Sequence, residues 1–122
     1  MTTNFIYSDD LSGYTSGATC VIVPKSIRSK DELLDLLSRT LSFPGTFGSN
    51  WDALFDCLCD LSWIAEKRVV IAHENLPLLP RRELEAYLDV LNDAVTSWRE
   101  RPGTHDLVVV LSKKALSDQK PD

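Results

Sequence analysis

Basic residues are scarce where the chain is most acidic. No lysine or arginine falls between Arg39 and Lys67, and over the whole sequence 13 Lys and Arg face 18 Asp and Glu. A ligand held through nucleic-acid phosphates needs a basic stripe, so this balance argues against direct nucleic-acid binding and favours a basic protein as partner. Histidine is nearly absent. His73 and His105 stand alone, with no Cys or carboxylate set at ligand spacing, so no metal is expected. Cys20, Cys57 and Cys59 form an odd set. On a helix Cys57 and Cys59 point to nearly opposite sides, so neither a disulfide framework nor a chelate follows, and the thiols read as buried or tolerated. There is no glycine-rich phosphate loop and no nucleophile placed beside a base, so neither enzyme chemistry nor a cofactor is expected. No apolar run approaches membrane-spanning length, and the N-terminal MTTNFIYSDD lacks the basic-then-apolar order of a signal peptide. The expected location is the cytoplasm.

What is present is an alternation of strand-like and helix-like segments. A length of 122 residues makes one domain with a real core. Residues 1–17 are polar and without period, an extension of uncertain order that Phe5, Ile6 and Tyr7 are able to pin to the domain. Ala18 to Pro24 is a short β-branched run stopped by proline, as expected of a strand buried on both faces. Ser29 to Glu32 makes a capping box, and Leu33, Leu34, Leu36, Leu37 and Leu41 supply the apolar stripe of a helix that Phe43-Pro44-Gly45 ends. Arg68 to Ala72 reads as a strand and His73 to Pro77 as a loop. Leu84, Tyr87, Leu88, Leu91, Val95 and Trp98 recur at helical spacing, leaving Glu85, Asp89 and Asp93 outward. Arg81 and Arg82 open that helix against its dipole, with Glu85 as an available partner. Asp106 to Ser112 is a last apolar strand before a polar tail, 113–122. Three strands joined through helices predict an α/β fold with a three-stranded parallel sheet packed with helices, the domain spanning 18–112.

The segment between the first helix and the second strand is the most distinctive. Asp52, Asp56 and Asp60 stand four residues apart, so neighbours lie roughly 40° apart around a helix axis. Such repulsion costs a few tenths of a kcal/mol per pair, and Asp60 also sits against the macrodipole. A row of charges is ordinarily just a solvated face, and Ser49 to Asp52 fits a capping box that gives Asp52 a structural role. Asn50 either caps the helix or lies at an interface rim. Leu54, Leu58 and Leu61 should face the core with Ala53 and Cys57 beside them, leaving Asp52, Phe55, Asp56 and Cys59 on the other side. Trp51 and Trp63 read as core or edge packing.

Gly48-Ser49-Asn50-Trp51-Asp52-Ala53-Leu54, followed by Asp56-Cys57-Leu58 and Asp60-Leu61, resembles the signature helix of the barstar family, the intracellular inhibitors of secreted bacterial ribonucleases. Cys20 to Val23, Ile27-Arg28-Ser29, Glu32-Leu33 and Phe43-Pro44 resemble that family's first strand, its first helix and the approach to its second. Val69 to Ile71, the helix through Leu88 and Leu91, and Leu107 to Ser112 resemble its later elements, so the likeness runs from about Ala18 to Ser112. It implies a small barstar-like fold and places the family's key helix aspartates at Asp52 and Asp56, its interfacial tryptophan at Phe55 and an interface glutamate at Asp93. Thr46 takes the place of an interface tyrosine, and Phe55 lacks the indole N–H of tryptophan.

The resemblance implies a stoichiometric inhibitor. Carboxylates at phosphate-like spacing occupy the cationic pocket of a basic ribonuclease or related toxin in a 1:1 complex, with no membrane, cofactor or small-molecule substrate involved. Two other classes stand beside it. An immunity protein for a toxin that is not a ribonuclease, or an acidic regulatory module recruiting another basic protein, would use the same face. An enzyme employing Asp52 and Asp56 as acid and base lacks the accompanying groups.

Overall fold

The computed structural model describes residues 4–45, 48–101 and 103–113. Its β-branched runs become four strands, β1 (Phe5–Tyr7), β2 (Thr19–Val23), β3 (Arg68–His73) and β4 (Asp106–Leu111). Between them lie four helices, α1 (Ser12–Thr15), α2 (Lys30–Thr40), α3 (Trp51–Asp60) and α4 (Arg81–Glu100). The strands form one parallel sheet in the order β1-β4-β3-β2. Thr19 is opposite Val69, Arg68 opposite Asp106 and Phe5 opposite Val109. Parallel neighbours need crossovers, and α2 with α3 makes one while α4 makes the other.

Alternation along each strand sorts residues to two faces. Val21, Val23, Val69, Ile71, Leu107 and Val109 meet the leucines of α2 and α3 and the Tyr87, Leu91, Ala94 and Val95 side of α4 in the main core. Val70, Ala72 and Val110 on the other face are covered by Ile6 of β1 and by Leu11 and Tyr14 at α1. The main core is therefore built by long amphipathic helices, and the second face by a short strap.

The mixed α/β fold with a parallel sheet is as expected, with a fourth strand added to the expected three. β1 comes from residues 1–17. Three residues are too few to show a period, and their pairing partner, β4, lies about a hundred positions away. β2 is not buried on both faces. It is an edge strand, and Ile22 is 51% exposed because the strap leaves that corner of the sheet open. His73 belongs to β3 rather than to a loop, paired opposite Val23. The 113–122 tail, beyond Lys113, and residues 1–3 lie outside the described residues.

Candidate functional site

The acidic helix α3 starts differently from its sequence pattern. Asn50, not Ser49, is the N-cap: the Ala53 N–H donates to Asn50 Oδ1 at 2.8 Å, and Asn50 Nδ2 donates to the Gly48 carbonyl at 3.3 Å. Ser49 is held at a φ of 53°, in the left-handed region, so its hydroxyl is not in position to cap. The expected Ser49–Asp52 box does not form, and Asp52 has no capping duty. By contrast the box at Ser29 does form, with Glu32 N–H donating to Ser29 Oγ at 3.1 Å. At the far end Leu61 caps α3 in the left-handed conformation while its side chain is fully buried. Core packing of Leu61 holds the backbone in a conformation that a non-glycine residue seldom adopts.

Burial divides α3 into three sides. Leu54, Leu58 and Leu61 are completely buried. Asp52, Asp56 and Asp60 are exposed, and among the described residues none of the three makes a hydrogen bond or ion pair. Phe55 and Cys59 are half-buried and packed against the core, so they do not stand out on the free face as expected. The reason is α4, which packs alongside α3; the Trp98 indole N–H donates to the Leu58 carbonyl at 2.7 Å and ties the two helices together.

The seam between α3 and α4 gathers charge around Cys59. Burial pushes its thiol pKa up, a hydrogen bond with Ser97 and the Arg101 guanidinium pull it back, and Asp56 and Asp93 add to the rise. Asp56 on α3 and Asp93 on α4 are thus electrostatic neighbours of one half-buried sulfur. Arg101 is itself held by Ser97, whose Oγ accepts from its Nη2 at 2.6 Å. The Cys57 thiol is raised by burial first, then by Asp56 and Asp60.

At the other end of α3 a hollow of about 550 Å³ is lined by Asp52 and Asp56 together with Asn50, Trp51 and Lys30. Lys30 arrives from the start of α2 and lies 5.4 Å from the centre of the Trp51 ring, in a cation–π contact instead of an ion pair with the aspartates. No spacing rule links Lys30 to Asp52. Trp51 is an edge-packing residue: its indole N–H donates to Glu83 at 3.2 Å, and its ring lies 6.0 Å from Tyr87. Trp63 donates to the Leu41 carbonyl at 2.8 Å and packs edge-on to Phe43. Arg81 meets Glu85 at 3.4 Å. Thr46 lies outside the described residues.

Among the described residues no group of three or more His, Cys, Asp or Glu is placed to hold a metal ion, and no helix is long and apolar enough to cross a membrane. The architecture is that of a small α/β domain presenting unpaired carboxylates from one helix, with a second helix beside it. The chain belongs to the Barstar (barnase inhibitor) family, whose model matches residues 18–111. No curated protein matches the chain.

Proposed function

We propose that this protein is an inhibitor of a basic bacterial ribonuclease or nuclease toxin, acting in the cytoplasm of the cell that makes it. The single observation that supports this best is that Asp52 and Asp56, on a Barstar-family helix, line one open hollow and have no partner among the described residues. Unanswered like charges in a helix weaken it, and such a cost is commonly retained where a partner supplies the missing cations. The enzyme's phosphate-binding Arg, Lys and His would supply them, and the active site would be plugged without chemical change. Phe55 and Cys59 form the apolar floor beside the aspartates, Asp93 extends the acidic surface onto α4, and Asn50 lies along its rim. The barnase–barstar pair is itself the known case of charge-steered association, so steering is an expectation that comes with the family.

Titration calorimetry against a barnase-type ribonuclease, at low and high salt, tests this reading. The expected result is 1:1 binding that weakens in salt, together with loss of about 2 kcal/mol or more, roughly thirtyfold in Kd, on Asp56→Ala. Absence of binding would reject that target.

A further inference from the structure

An acidic protein has no general reason to gather cations, yet Lys67, Arg68 and Arg99 line a single hollow of about 610 Å³ at the amino-terminal end of the sheet, with the Trp98 ring beside them. One carboxylate, Asp106, also lines it. Asp106 accepts from Arg68 Nε at 3.3 Å, which leaves the rest of that guanidinium without a hydrogen-bond partner among the described residues. The Lys67 ammonium has neither ion pair nor hydrogen bond among them.

Two groups are held in place for contact. Arg99 donates through Nη1 to Asn4 Oδ1, while Asn4 Nδ2 is tied to Thr96 Oγ1 at 2.7 Å and to Asn92 Oδ1 at 2.9 Å. Trp98 is fixed through its N–H to the Leu58 carbonyl and by an edge-on contact with His105 at 5.8 Å. A smaller adjoining hollow of about 150 Å³ shares Trp98 and Arg99. Ser16 and Gly17 also line the larger hollow, and Gly17 turns the chain into β2 at a φ of 69°. Asn4, Ser16 and Gly17 all precede the family match, so this hollow is partly built by a segment that the family model does not cover.

Three cations against one carboxylate leave an excess that a phosphate dianion would neutralise, and guanidinium groups suit its oxygens. A fixed aromatic face next to such cations is how single bases are held without sequence reading. We propose that the hollow binds a phosphate monoester carrying a planar ring, in its simplest form a mononucleotide, with the phosphate at Lys67, Arg68 and Arg99 and the ring against Trp98.

The full chain would be titrated with adenosine monophosphate, adenosine and inorganic phosphate at low salt, followed by calorimetry and tryptophan fluorescence. Saturable 1:1 binding of the nucleotide is expected, at least about tenfold tighter than either fragment. Lys67→Ala and Arg99→Ala should each weaken it by about tenfold, and Asp56→Ala should leave it unchanged. The Lys67 side chain is exposed and makes no hydrogen bond or ion pair among the described residues, so Lys67→Ala separates loss of the site from loss of the fold. No saturation at millimolar nucleotide, or binding indifferent to both cation variants, would overturn the proposal. So would phosphate binding as tightly as the nucleotide, or an acidic peptide saturating the hollow where the nucleotide does not.

Discussion

His73 is buried at the end of β3 and uses both ring nitrogens. The Val110 carbonyl 3.0 Å from Nδ1 accepts only, so Nδ1 carries the proton, and Nε2 accepts from the Tyr87 hydroxyl at 2.6 Å. Burial, partly offset by the Val110 hydrogen bond, depresses the imidazole pKa to about 4 and pushes the Tyr87 hydroxyl well above its usual range. The unfolded chain, with His73 near 6.5, binds the proton that the folded chain refuses. Stability contributed by neutral His73 is therefore complete above pH 6.5 and is lost as pH falls toward 4, by about 3 kcal/mol across that window. Urea midpoints measured between pH 7 and about 4 should show this decline, and His73→Phe should flatten it. A wild-type curve with no decline in that window would mean that His73 titrates normally.

At the scale of the element, α3 separates what stabilises a helix from what a partner would require. Asn50→Ala removes the observed cap and should cost about 1 kcal/mol. Ser49→Gly relieves a left-handed backbone and should stabilise by about 1 kcal/mol, the opposite of what a Ser49 cap would give. Asp56→Ala removes repulsion from both Asp52 and Asp60 and should raise stability by about 0.5 kcal/mol while binding is lost. Phe55→Ala should instead lower stability by about 1–2 kcal/mol, because that ring packs on the core. Chemical denaturation of the four variants distinguishes these outcomes. Loss of binding without loss of stability in Asp56→Ala, and loss of both in Phe55→Ala, would show that the aspartate row is not part of the folding machinery.

At the scale of the molecule, the amino-terminal segment completes the sheet. β1 covers the β4 edge, and Leu11 and Tyr14 shield Val70, Ala72 and Val110. Removing residues 1–17 would open that edge and expose the second core, and we expect it to lower stability by about 3 kcal/mol or more. The urea midpoint of the truncated chain gives the measurement. An unchanged midpoint would show that residues 18–112 hold the fold without the strap.

The apolar faces of α2, α3 and α4, the Ser29 capping box and the strands β2, β3 and β4 were legible in the sequence, because each depends on local spacing of apolar, β-branched and capping residues. So was the Asp52, Asp56, Asp60 row, which is a matter of helical period alone. The tertiary structure decided which residues surround that row. Phe55 and Cys59 became half-buried because they pack on the core with α4 beside α3, and Lys30 reached the Asp52 hollow because α2 begins beside it. The left-handed backbones at Ser49 and Leu61 follow from chain entry and core packing rather than from residue preference. Local interactions are written in consecutive residues, whereas β1 pairing with β4 and cations meeting beside Trp98 depend on contacts between residues far apart in sequence, which appear only once the core has closed.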